Sequence, residues 1–89
     1  MLMSTKLQLL HDGHYYNVVK VETRHSSEDA RYEIRHANDD NTLLGSVVWQ
    51  LEHVVAQDWR RYGVGSIHAN WLRTQEEAFR WALNSLTVY

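Results

Sequence analysis

The stretch Leu43-Leu44-Gly45-Ser46-Val47-Val48-Trp49-Gln50-Leu51-Glu52-His53-Val54-Val55-Ala56-Gln57-Asp58-Trp59-Arg60-Arg61-Tyr62-Gly63 decides the fold, because it fits two different periods. As extended chain, Leu43, Val47, Trp49 and Leu51 line one face, a turn falls near Ala56-Gln57-Asp58, and Trp59 to Ile67 makes the next strand. As a helix over 43–62, Leu44, Val47, Val48, Leu51, Val54, Val55, Trp59 and Tyr62 fall on one stripe. Asp39 and Asp40 would precede that helix, Arg60 and Arg61 would sit in its last turn, and Gly63 would end it. Four valines, Gly45 inside the run and Trp49 off the stripe favour strands, since branched side chains and glycine both weaken a helix.

The flanking segments are simpler. Tyr15 to Thr23 is rich in β-branched and aromatic residues, with Tyr15, Val19, Val21 and Thr23 on one face. Lys6 to Leu10 pairs with it across His11-Asp12-Gly13-His14. From Ala30 to His36, Ala30, Tyr32, Ile34 and His36 alternate with Arg31, Glu33 and Arg35, which predicts one inward face and one wet face. Thr74-Gln75-Glu76-Glu77 is a capping box, followed by the apolar arc Ala78, Phe79, Ala82, Leu83 and Leu86, with Trp81 off the arc. The expected class is therefore α+β: an antiparallel meander of three to four strands packed on one face by a C-terminal helix. The alternative is a two-to-three-stranded sheet with two helices, one of them spanning 43–62. Of the aromatics, Tyr32, Tyr15 and Trp49 are expected on the inner face of the sheet.

Composition bounds the rest. The chain has 89 residues, enough for a single domain over 1–89. It contains no cysteine, which excludes disulfide scaffolds, cysteine nucleophiles and thiolate zinc sites. Four Trp and five Tyr stand against one Phe, and seven Arg against two Lys. Arg is favoured over Lys at interfaces, because its planar fork stacks and binds bidentately. The net charge of −2 argues against strong non-specific nucleic-acid binding, which needs clustered basic residues. Six His would carry the charge from −2 toward +4 below pH ~6.5. No apolar run approaches the ~20 residues of a membrane helix, and the start lacks the pattern of a signal peptide. A cytoplasmic protein without a membrane partner is expected.

No motif names a chemistry. His11 and His14 flank a turn at a spacing that two metal ligands could use, though a polar hairpin turn explains them as well. Gly63-Val64-Gly65-Ser66 lacks the remainder of any phosphate-binding fingerprint and reads as a cap or a bulged strand. Ser66, His68, Asp58 and Glu52 supply catalytic residue types, but types without geometry are no site. No catalytic residue is assigned and no cofactor is expected. Arg31 and Arg35, with Glu33 between them, either form cross-strand ion pairs with Lys20 and Glu22 or present a docking surface. Trp59, Arg60, Arg61, Trp71, Arg73, Arg80 and Trp81 form a second cluster, of the residue types that dominate interface hot spots. At least one of Trp71 and Trp81 is expected at the surface. The expected function is that of a non-enzymatic accessory protein. It binds another macromolecule, a protein before all others, through Trp/Tyr/Arg surfaces, with self-association into a homodimer as one form. The alternative is a nucleic-acid-binding module using the Arg-bearing outer face of the sheet.

Overall fold

Six strands follow one another in the computed structural model, which describes residues 6–58 and 63–87. They are β1 (Lys6–His11), β2 (His14–Val21), β3 (Glu28–His36), β4 (Leu43–Gln50), β5 (His53–Gln57) and β6 (Gly63–His68). All five neighbouring pairs are antiparallel, in the order β1-β2-β3-β4-β5-β6. A short 3-10 turn, Ala69–Trp71, leads into the helix α1 (Gln75–Thr87), which packs on one face of the sheet. The architecture is α+β with an antiparallel meander, as the sequence predicts, but with six strands instead of three to four.

The ambiguous stretch resolves into β4 and β5, so the helical alternative over 43–62 fails across the described residues. Its periodicity misled because both faces of β4 are buried: Val47 and Val48 are each fully enclosed. Two adjacent buried valines satisfy a helical stripe as well as a two-sided strand. The hairpin between β4 and β5 also falls earlier than expected. Leu51 and Glu52 form a two-residue turn, with Leu51 at φ 56 in the left-handed region. No Gly, Asn or Asp marks that turn in the sequence. The strand reading placed Leu51 on a buried face; it lies exposed at the turn. By contrast, β1 and β2 join through Asp12 (φ 50) and Gly13 (φ 79), the residues this turn type demands.

Beneath α1 the sheet supplies Leu9, Tyr16, Val18, Ile34, Val47, Val54 and Ala56, and the helix supplies Ala78, Phe79, Ala82, Leu83 and Leu86. Tyr32, Trp49 and Phe79 meet edge to face at centroid distances of 5.0, 5.5 and 5.9 Å. Such contacts add about 0.5–1.5 kcal/mol each beyond burial. Tyr15 is not in this core. It is 55% exposed on the opposite face, and Tyr16 takes the inward place. Gly45 leaves room for a neighbouring strand and the helix: a Cβ there would lie 2.5 Å from the Gln57 carbonyl oxygen and 2.8 Å from Leu86. The helix starts as the capping box predicts, with Glu77 N–H donating to Thr74 Oγ1 and Thr74 N–H to the Glu77 carboxylate.

At its far side the sheet curls until β1 reaches α1. Arg80 donates to the Leu10 carbonyl at 2.9 Å, and His11 Nε2 pairs with Asn84 Oδ1 at 3.0 Å. The first of these satisfies a main-chain oxygen at the open edge of β1, where an unpaired row of polar groups invites other strands.

Candidate functional site

The outer face, away from α1, carries a buried ion pair. Residues three apart on a strand point to opposite faces. A bulge between Glu28 and Ala30 inserts Asp29 as an extra residue and puts Glu28 and Arg31 on the same side. Arg31 then grips Glu28 with two parallel bonds, Nε at 2.9 Å and Nη2 at 2.8 Å. Arg24 N–H adds a third bond to the carboxylate at 3.0 Å. The bonds from Arg31 come first among the causes that hold the Glu28 carboxyl down at about 2, against the opposing effect of burial. Arg31 Nη1 also reaches Gln57 on β5 at 3.1 Å, spanning β4 over its register partner Val48.

This geometry corrects the expectation for Arg31. It is 3% exposed and presents no docking surface. Its partner is Glu28, not the cross-strand Lys20 or Glu22. Arg35 likewise pairs within its own strand, with Glu33 at 3.0 Å, and donates to the Asn41 carbonyl. The outer-face arginines are thus neutralised inside the domain. Arg80 is held by Glu76 and the Leu10 carbonyl. Trp81 is half-buried against the core, beside Gly65. Trp59, Arg60 and Arg61 lie outside the described residues. His11 is engaged with Asn84 and His14 is exposed; among the described residues no group of three or more His, Asp or Glu is placed to hold a metal ion.

What remains gathers at one end of the sheet, where α1 begins. Trp71 is 76% exposed and Leu51 is 75% exposed. The Ala69 N–H donates to the Glu52 carbonyl at 2.8 Å, which ties the turn bearing Trp71 to the turn bearing Leu51. Further bonds fix the Trp71 turn: Leu72 N–H to the Ala69 carbonyl at 3.1 Å, and Asn70 N–H to His68 Nδ1 at 3.2 Å. Beside it lies a cleft of about 320 Å³, lined by Tyr32, Trp49, Ala69, Leu72, Arg73 and Gln75 among others. Its floor is the edge of the aromatic cluster. Its rim holds the Tyr32 hydroxyl, which accepts from Gln75 Nε2 at 2.7 Å. Arg73 lines this cleft, Trp71 does not but lies on the same turn with its ring 6.3 Å from that of His68, and Arg31, Arg35 and Arg80 are directed elsewhere.

Sequence reasoning singled out Trp71 because it fits no core pattern. It missed Leu51, whose exposure follows from a turn that no turn residue announces. It missed the cleft as well, since Tyr32 and Trp49 read only as core. On the first hairpin Leu10 and Tyr15, register partners on one face, are also exposed, and Leu7 is exposed on the other face. No helix among the described residues is long and apolar enough to cross a membrane. No family model matches the chain, and neither a curated protein nor a solved structure matches it.

Proposed function

We propose that this chain is a non-enzymatic interaction protein that docks another protein at the end of the sheet where α1 begins. The observation that carries this reading is Trp71, three-quarters exposed on a turn that hydrogen bonds close. An indole held in water by an ordered turn is a prepared anchor, because its ordering cost falls before binding. Leu51 points the same way. A leucine in the left-handed region costs about 1–2 kcal/mol relative to the glycine that suits it. Its exposed side chain adds apolar surface at the same end of the sheet. The adjacent cleft of about 320 Å³ sits at the small end of the ~300–1,000 Å³ range of ligand pockets. That size suits one large apolar side chain from a protein partner, with Arg73 at the rim for orientation.

The nucleic-acid alternative draws on the outer sheet face, where Arg31 and Arg35 are each paired with a glutamate. No observation favours it over protein docking. The test is to replace Trp71 by a photo-reactive benzoylphenylalanine and irradiate extracts of the source cells, with the same replacement at exposed Glu22 as control. A protein adduct specific to position 71 is expected, and a second copy of this chain counts as such a partner. Trp71→Ala should then weaken binding of that protein about 30-fold, as a hot-spot residue does. No adduct beyond the control, or a loss under about threefold, refutes the proposal.

A further inference from the structure

We infer that His68 is a proton-operated latch on the turn that presents Trp71. The Asn70 N–H donates to His68 Nδ1 at 3.2 Å and so caps the Ala69–Trp71 turn. A ring nitrogen accepts a hydrogen bond only while it carries no proton, so this geometry requires the neutral ring with its hydrogen on Nε2. Nε2 in turn lies 3.6 Å from the Glu52 carboxylate of the β4–β5 turn. From β5, the His53 ring stands against His68 at 5.2 Å, directly opposite in register. From the turn itself, the Trp71 indole lies at 6.3 Å. Among the described residues, Glu52 and His53 are the titratable groups in these contacts.

Proton uptake turns both ring nitrogens into donors. Nδ1–H then confronts the Asn70 N–H, and the cap is lost. The start of the turn stays anchored by the bond from Ala69 N–H to the Glu52 carbonyl. The Leu72 N–H bond to the Ala69 carbonyl still closes the turn, so what loosens is the Asn70 end of the segment that carries the exposed indole. Acidification supplies the proton, so the latch opens as the solution is made acidic. This goes beyond docking itself: it supplies a means of withdrawing the anchor when the surroundings acidify.

The test is a nitrogen–proton correlation spectrum of the free protein between about pH 8 and 5. The Asn70 amide and the Trp71 indole cross-peak, assigned by its absence in Trp71→Phe, should move together along one sigmoid. In His68→Asn, whose side-chain oxygen can cap the same N–H without taking a proton, both should stay in place. If His68→Asn loses its dispersed spectrum, His68→Asp replaces it, since a carboxylate near pKa ~3.9 stays charged in this window. A wild-type spectrum in which neither signal moves overturns the latch. So does a shift that persists unchanged in the folded variant. No partner enters the measurement, so its failure leaves the docking proposal standing, and failure of docking leaves the latch.

Discussion

Replacing Glu28 by Gln removes one charge from the buried pair and leaves the shape of the side chain intact. In the folded protein the Glu28 carboxyl sits at about 2, against an ordinary 4.5. A displacement of that size corresponds to about 3 kcal/mol of stability at neutral pH. Its sign is set by the direction of the shift. A carboxyl whose folded value is lowered stabilises fully above its unfolded value and loses that contribution as pH falls through the folded value. The wild-type pair therefore weakens between about pH 5 and 2. Glu28→Gln forfeits it at every pH and leaves the Arg31 guanidinium buried without its counter-charge, at a cost of about 3 kcal/mol near neutrality. Urea denaturation followed by circular dichroism, repeated from about pH 7 down to 2, measures both proteins. The stability gap should be about 3 kcal/mol at the neutral end and shrink toward the acid end, because other carboxylates titrate alike in both chains. A gap that stays constant across the range, or that is under about 1 kcal/mol at neutral pH, refutes the reasoning. If the single variant does not fold, Glu28→Leu combined with Arg31→Met removes both charges and should recover a cooperative transition, since matched apolar replacements of buried pairs are tolerated.

Gly45→Ala should destabilise by about 1–3 kcal/mol in the same denaturation assay, because the new methyl meets the Gln57 carbonyl and Leu86 where strand and helix touch. Thr74→Ala should cost about 1 kcal/mol and lower the melting temperature, by removing the acceptor for the Glu77 N–H. Leu51→Gly should raise stability by about 1 kcal/mol, through release of left-handed strain, while weakening capture at position 71.

How far the residues disclose the fold depends on whether their signals are local. The helix was legible because Thr74, Glu77 and the Ala78–Leu86 arc are all contained within α1. So was β3, whose alternation spans only its own strand. The β4–β5 hairpin was not, because its turn is Leu-Glu and its valines fill both faces. Arg31 misled for a subtler reason. Its side of the sheet was read correctly, but the bulge that turns Glu28 toward it is a property of two strands in register, invisible in either alone. The candidate site shows the same division. Trp71 stood out as a residue without a core position, whereas the cleft requires Tyr32, Trp49 and Leu72, which come from three separate elements.

The meander has a kinetic meaning. Every strand pairs with its neighbour in the chain, so each ladder closes a short loop, and short loops form early. The helix rests mainly on β4, β5 and β6. The bonds from Arg80 and Asn84 to β1 are different: they join residues 70 and 73 positions apart. They form a clasp that can shut only after the rest is in place. Opening it would break no rung of the ladder. Strand pairing thus favours assembly in chain order, and two long-range side-chain bonds, with Leu9, Tyr16 and Val18 packed beneath the helix, join its first strands to its last element.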